Sequence, residues 1–461
     1  MADSRSVVAL KHASSSLLSV FQGKGIFNET VKTMAFSMAI MMINMATGMI
    51  TARMLGPEGR GVLASVILWP QFLSFVTTFG LSSALLFNVK KTPEQEGDLY
   101  YASLLLSGFT GLFAVVIGVT FIPFWMHNQT SAAVIVAQCL MLVSPFMHLY
   151  FLNTAFFRAQ EQFHLFNRMR YIIPLTTLLI LLVLMFVEQL TPFTAGIAYF
   201  APYVPLTLWT LFYQRNSLQR PRWIELRSSI KRITKYGLGS YGIDLMGNMI
   251  LYMDQIILVS LLAPGPLGLY VVAVSLSRMV NVFSSSIIMV LFPKASGLSD
   301  KNAALLTLRV FKLSTSFALI GASVIMLVAP LVIRLLYGDL FLESIPVFRL
   351  LLLEVVVGGA ALVLGQAFMA AGKPLILTLS QAIGIVLVIP LMYVLVPRYG
   401  LTGAGIALFI PAVIRLLYVV IVFQRKFKIG IRELFITKDD LVWLKQPLKS
   451  RKKPLEGSEE L

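Results

Sequence analysis

The sequence predicts an all-α polytopic membrane protein of about twelve transmembrane helices, arranged as two six-helix halves related by pseudo-two-fold symmetry. Composition is the first ground. Of 461 residues, 57% are hydrophobic and only 13% charged, and the mean hydropathy is +0.82. A soluble domain carries about 25% charged residues, so a soluble enzyme and a disordered chain are both excluded. The second ground is that apolar runs of bilayer-crossing length follow one another. They are continuous rather than alternating, which excludes a transmembrane barrel. The third is an internal repeat. Ala195–Val204 reads AGIAYFAPYV and Ala404–Val413 reads AGIALFIPAV, with seven of ten positions identical. Leu55-Gly56-Pro57 with Gly61 pairs with Leu262-Ala263-Pro264 and Gly268 at nearly the same offset, and Ala155-Phe156 pairs more loosely with Ala367-Phe368.

In chain order, residues 1–31 are polar and read as a cytoplasmic segment without a cleavable secretory signal. Spans are expected at 32–53, 61–88, 99–125, 131–155, 170–188 and 193–213, which make the first bundle, 32–213. Residues 214–235, with Pro221 and seven basic residues, read as a basic linker along the cytoplasmic surface. The second bundle, 236–423, holds spans at 236–262, 267–293, 309–337, 346–370, 374–397 and 401–423, and 424–461 is a charged cytoplasmic tail. Phe, Met and Gly are plentiful, as expected where helices pack in lipid.

The net charge of +17 first suggests nucleic acid, but its placement decides against that. Of the 38 Lys and Arg, 31 fall on the side of the termini, three (Arg53, Arg60, Arg398) on the opposite side and four within spans. This asymmetry orients the chain with both termini in the cytoplasm, its basic residues against anionic headgroups. An even number of spans per half gives repeats of the same topology, related by an axis along the membrane normal. That arrangement suits a substrate cavity between halves and alternating access.

Several motifs resemble the polysaccharide transporter, or oligosaccharide flippase, family of the superfamily that also holds multidrug-and-toxin extruders and the lipid II flippase. The hairpin Thr51–Ser65 (TARMLGPEGRGVLAS), with Gly56, Gly59 and Gly61, resembles the family signature. Asp254–Leu258 (DQIIL) and Gly268–Ala273 (GLYVVA) are similar to its seventh and eighth helices. Tyr337-Gly338 with Phe341 ahead of Pro346–Leu353, and Ala371-Gly372-Lys373-Pro374, resemble two later turns. The resemblance implies a transporter in a bacterial inner membrane that flips or exports a polyprenyl-diphosphate-linked oligosaccharide. Its implied partners are that lipid-linked substrate, membrane lipids and other polysaccharide assembly proteins. The lipid II flippases of the superfamily usually have fourteen helices and a basic first-helix motif, and neither is present here.

Polar side chains inside spans need a partner or a cavity. Asp244, Asn248 and Gln255 are spaced to share one face of the seventh span, with Tyr252 at its edge. They line either a transport cavity or a hydrogen-bonded seam. Asn44, Thr47 and Thr51 share a face of the first span, although such threonines often bond their own backbone. Counting back from the Ala263–Pro266 turn places Asp254 and Arg278 within about one turn in depth, as a candidate ion pair. An intramembrane arginine is equally suited to a diphosphate. Glu354 has no evident partner and is the candidate coupling acid. Arg53 and Arg60 read as hairpin anchors, Arg334 and Arg349 as snorkelling residues, Arg415 as a snorkelling or inner-mouth residue, and His148 as a packing residue.

No Walker loop and no metal spacing among His12, His127, His148 and His164 are present, and Cys139 is the single cysteine. Neither cofactor nor metal is expected, and the chain reads as a transporter rather than an enzyme. Two alternatives stand beside the flippase: an ion-coupled multidrug exporter, kept open by Asp244 and Glu354, and a membrane-embedded glycan transferase or polymerase. The latter would need a large loop on the outer side, and every outer connection is short.

Overall fold

The computed structural model describes residues 26–215 and 223–434, and every regular element among them is helical. The chain is a multi-pass membrane protein. It forms two compact units that divide at Met249–Ile250.

In the first unit, α1 (Ile26–Val76) is two helices meeting at Gly56, whose φ of 67° and ψ of −178° are open to glycine at no steric penalty. Pro57 starts the second arm, where a missing N–H is no loss. The chain then turns through Thr77–Gly80 into α2 (Leu81–Lys91), and continues through α3 (Glu96–Trp125), α4 (Ser131–Leu140) and α5 (Ser144–Ala159). It ends with α6 (Phe163–Phe186), α7 (Pro192–Phe200), α8 (Tyr203–Arg215) and the first part of α9 (Trp223–Leu261). The Thr130 hydroxyl caps α4, and a reciprocal Thr191–Thr194 capping box starts α7.

The second unit holds the end of α9, then α10 (Pro264–Met279), α11 (Asn281–Ser296), α12 (Asp300–Tyr337), α13 (Ile345–Ala370) and α14 (Pro374–Phe427). α13 packs against α10, α11, α12 and α14. Its Gly358-Gly359-Ala360-Ala361 run is buried and lets neighbouring helices approach closely. Leu308, Phe311, Leu364, Phe368, Val419 and Phe423 form the apolar core around it.

Nine helical stretches among the described residues are long and apolar enough to cross a membrane, against the twelve expected. Two of the nine are double: α1 joins two helices at Gly56, and α14 joins two at Gly400, where φ is 55° and ψ −134°. The apolar stretch Leu251–Leu261 of α9 is shorter. Four expected spans are also interrupted: 61–88 at Thr77–Gly80, 131–155 at a 3-10 turn over Met141–Val143, 193–213 at Ala201-Pro202 and 267–293 at Val280.

The expected linker is partly structured. Residues 216–222 lie outside the described residues, and 223–235 are the first turns of α9. The expected N-terminal segment falls largely outside the described residues, as does most of the 424–461 tail. Ile233 is buried in the cluster formed by Leu81, Leu85, Leu99, Leu152 and Phe156. Arg232 donates to Asn88 Oδ1 (2.7 Å), Gln95 Oε1 (3.0 Å) and Thr92 Oγ1 (2.7 Å), so one guanidinium secures α9 to the end of α2. Arg232→Ala is expected to lower stability by about 2 kcal/mol, as hydrogen bonds from a charged donor do. Arg232→Lys should recover little, because an ammonium cannot reproduce the three-way fork. Thermal unfolding of the purified proteins in detergent checks both.

Candidate functional site

Two polar clusters are embedded in the apolar helices, one in each unit. In the second unit, Asp254 on α9 is 2% exposed. Its Oδ2 accepts from Arg278 Nη2 at 2.8 Å and from the Tyr270 hydroxyl at 2.7 Å, both on α10. Arg278 Nη1 also donates to the Leu251 carbonyl at 3.1 Å. The short Leu262-Ala263 connection makes these contacts possible, since Asp254 and Tyr270 lie at nearly equal distances from it. The expected ion pair is therefore present, and Tyr270 is a third member that the sequence reading missed. Asp254 Oδ1 is buried without a hydrogen-bond partner.

Glu354 lies on α13. The charges of Arg415, Arg278 and Asp254 all act on its carboxyl group. Arg415 on α14 packs its aliphatic stem on Gly384, where a methyl group would meet Cδ at 2.6 Å. Arg415 is thus directed inward rather than snorkelling, and its Nε is buried without a hydrogen bond. Two carboxyl groups and two guanidinium groups thus lie within this unit, and Asp254 and Arg278 are in direct contact. That arrangement suits the expense of charge in hydrocarbon, where pairing is the usual remedy.

The first unit carries neutral networks at the break between α1 and α2. The Tyr241 hydroxyl donates to the Val76 carbonyl at 2.6 Å, satisfying a group freed by the break. His148 is 2% exposed, with Nε2 3.1 Å from Thr77 Oγ1 and Nδ1 3.0 Å from Thr110 Oγ1. Thr77 donates to the Leu73 carbonyl at 2.7 Å and so accepts from Nε2–H, while the Thr110 hydroxyl also reaches the Ser107 carbonyl at 3.4 Å. Both ring nitrogens of His148 thus lie within hydrogen-bonding distance of threonine hydroxyls. The Tyr100 hydroxyl donates to Asn153 Oδ1 (2.7 Å), and Asn153 Nδ2 donates to Thr210 (2.9 Å).

The remaining expected residues are dispersed. Asp244 is half-buried and its Oδ2 accepts from the Ser83 hydroxyl at 2.9 Å. The side chain of Asn248 lies outside the described residues, while Tyr252 and Gln255 are half-buried. Asn44 is exposed in mid-helix. Thr47 is buried with its hydroxyl on the Ile43 carbonyl (2.8 Å), and Thr51 bonds the Thr47 carbonyl (2.8 Å), so neither hydroxyl is presented to a ligand. Arg334 pairs with Asp339 at 2.8 Å, both well exposed, and Arg349 Nη2 approaches the Met326 carbonyl at 3.4 Å. Arg60 is buried, with Nε and Nη1 free of hydrogen bonds.

The sequence profile of a family described as polysaccharide biosynthesis protein matches residues 50–346. The chain belongs to that family. The match takes in the Gly56 joint and the Asp254–Arg278 pair and stops short of Glu354 and Arg415. An uncharacterised membrane protein from the cps region of Klebsiella pneumoniae is 23% identical over 386 residues, 81% of this chain and 77% of the relative. A candidate O-antigen transporter of Shigella flexneri is 22% identical over 206 residues, 43% of this chain and 48% of that protein. Among solved structures, the lipid II flippase MurJ in an inward closed conformation superposes with a TM-score of 0.72 at 15% identity, covering 89% of this chain and 92% of the flippase. An outward-facing multidrug resistance transporter of the MATE family, MOP superfamily, gives 0.57 at 17% identity, covering 89% and 97%. At such identities the likeness is one of fold. This family member shares its architecture with a lipid flippase and with drug exporters.

Proposed function

We propose that the chain flips or exports a polyprenyl-diphosphate-linked oligosaccharide across a bacterial inner membrane by alternating access. Membership of the polysaccharide biosynthesis family carries this reading, and the flippase-like fold supports it. The physical need is plain. A sugar–diphosphate head cannot enter hydrocarbon, since each unpaired polar group costs several kcal/mol, whereas the polyprenyl tail can stay in lipid. Transport then requires no chemical conversion of the substrate. The reading includes twelve spans, with α1 and α14 each crossing twice and α9 adding another, and both termini in the cytoplasm by the bias of basic residues. Its partners are the lipid-linked substrate, membrane lipids and other assembly proteins.

Asn44, Asp244, Asn248, Tyr252 and Gln255 are the proposed head-group path, and the exposure of Asn44 in mid-helix supports it. Thr47 supports that wall by packing alone. Glu354 is the proposed coupling acid. A second reading, an ion-coupled drug exporter, is favoured by the acids Asp244 and Glu354 within the spans and by the likeness to drug exporters.

The test is glycan export in cells. Asn44→Leu and Gln255→Leu should each lower export at least tenfold at unchanged membrane level. In a Cys139→Ala background, N44C should react with a membrane-impermeant thiol reagent. A drug exporter would instead lose drug extrusion with Glu354→Gln and keep glycan export. Intact export in both leucine variants, with N44C unreactive, would sink the path.

A further inference from the structure

The apolar stretch formed by α10 and α11 runs 33 residues from Pro264 to Ser296. At 1.5 Å per residue it is about 50 Å long, so its middle, near Val280, lies deep in a hydrocarbon layer of about 30 Å. Polar residues gather at that depth: Ser277, Arg278, Asn281, Ser284, Ser285 and Ser286. Most are accounted for without a ligand. Ser277 bonds the Val274 carbonyl at 3.1 Å and Ser286 bonds Val282 at 2.7 Å. Ser284 faces Gly359 so closely that a methyl group there would overlap it.

Asn281 and Ser285 are different. Both are exposed, and neither side chain hydrogen-bonds another group among the described residues. They lie three and seven residues beyond Arg278, whose side chain is 34% exposed, so the three form one line along the helix. The interruption at Val280 does not break that line, because its φ of −67° and ψ of −22° remain right-handed helical. An amide bare to hydrocarbon is strongly unfavourable, so this line must border a polar phase.

Its charge indicates what that phase holds. The Arg278 guanidinium is already neutralised by Asp254 and bonded to Leu251, so the line presents no net charge to an anion. Asn offers donors and an acceptor, and Ser one hydroxyl that does both, a set matched to sugar hydroxyls. Val282 and Met289 are exposed beside it and offer an apolar strip for the C–H face of a sugar ring.

We infer that Asn281 and Ser285 bind hydroxyl groups of an uncharged sugar residue in the transported head group, and that the diphosphate is held elsewhere. This rests on the flippase reading. It also assigns Arg278 to organising α9 against α10 rather than to gripping phosphate.

The experiment uses the full chain in lipid nanodiscs and two probes: undecaprenyl diphosphate, and the same lipid carrying one N-acetylhexosamine. Wild-type protein should bind the sugar-bearing lipid roughly tenfold more tightly, which is about 1.4 kcal/mol. The double variant N281A/S285A should bind the sugar-bearing lipid no better than the bare one, with affinity for the bare lipid and melting temperature unchanged. A sugar preference that persists in the variant, or one absent from wild type, overturns the inference and leaves the flippase reading standing. So does equal weakening of both lipids, which would mean that this face reads the diphosphate. If wild-type protein binds neither lipid, the flippase reading fails and the inference with it. An independent arm places N281C in the Cys139→Ala background. It should react with an impermeant thiol reagent and be slowed by the sugar-bearing lipid. No reaction would set this face against lipid and refute the proposal.

Discussion

Arg278→Gln should destabilise the protein by about 3–5 kcal/mol, the usual scale for stranding one member of a buried pair, and Asp254→Asn should cost much less. The asymmetry comes from burial. Asp254 is 2% exposed and Oδ1 has no hydrogen bond even with Arg278 in place. Without the guanidinium, the carboxylate keeps only the Tyr270 hydroxyl at 2.7 Å and has no compensating charge. With Asp254→Asn, the amide oxygen still accepts from Tyr270, and Arg278 keeps the Leu251 carbonyl at 3.1 Å. Its side chain is 34% exposed and can turn toward the polar line of α11. That loss is then nearer the scale of a part-exposed pair, about 1 kcal/mol. The double variant Asp254→Asn/Arg278→Gln should recover most of the loss caused by Arg278→Gln alone. Melting temperatures of the purified variants and their membrane levels decide it. Equal losses in the two single variants would show that burial of Asp254 does not control the pair.

The Asp254–Arg278 contact could be read from the sequence because one short turn fixes the relative depth of two neighbouring spans. The charges that act on Glu354 could not. Arg415 lies on a helix far along the chain, and its charge acts on Glu354 only because α13 and α14 pack together. Helix breaks were similarly hidden. In a lipid-facing helix nearly every residue is apolar, so hydrophobic periodicity carries no mark of an interruption. Proline is an unreliable guide as well, since Pro70 and Pro411 lie inside continuous helix. The repeated segment shows this directly. Ala195–Val204 breaks at Ala201-Pro202, while its counterpart Ala404–Val413 is unbroken. Basic composition concealed the start of α9, because residues that read as a solvated linker use Arg232 to bond α2 and Ile233 to enter the core. Asn281 and Ser285 were visible in the sequence as polar residues in a span. Their exposure, which separates them from the self-bonded serines, is a property of packing alone.

Gly80→Ala is expected to be more damaging than Gly56→Ala, although both glycines have positive φ. Gly56 has φ 67° and open space where a side chain would stand. Alanine there meets no neighbour and pays only for the backbone, whose ψ of −178° lies in a region essentially confined to glycine, about 1–3 kcal/mol. Gly80 has φ 71° at the end of the Thr77–Gly80 break, and an added methyl group would overlap the Gly237 carbonyl oxygen on α9, with Ser240 Oγ at 3.0 Å. Gly237 is equally confined, since a methyl group there would sit 2.9 Å from the Phe79 carbonyl. The two backbones are in mutual contact, so neither can yield by a change of rotamer. Relief requires α9 to move away from the break. That movement stretches the Tyr241–Val76 bond of 2.6 Å and the Ser83–Asp244 bond of 2.9 Å together. Overpacking of about 1–3 kcal/mol then adds to the backbone strain and to two weakened hydrogen bonds of about 1 kcal/mol each. The total approaches 5 kcal/mol. Melting temperatures of the two alanine variants, measured side by side in the same detergent, separate strain from contact. If they fall equally, the close approach of Gly80 and Gly237 contributes nothing to the packing of α9 against the break.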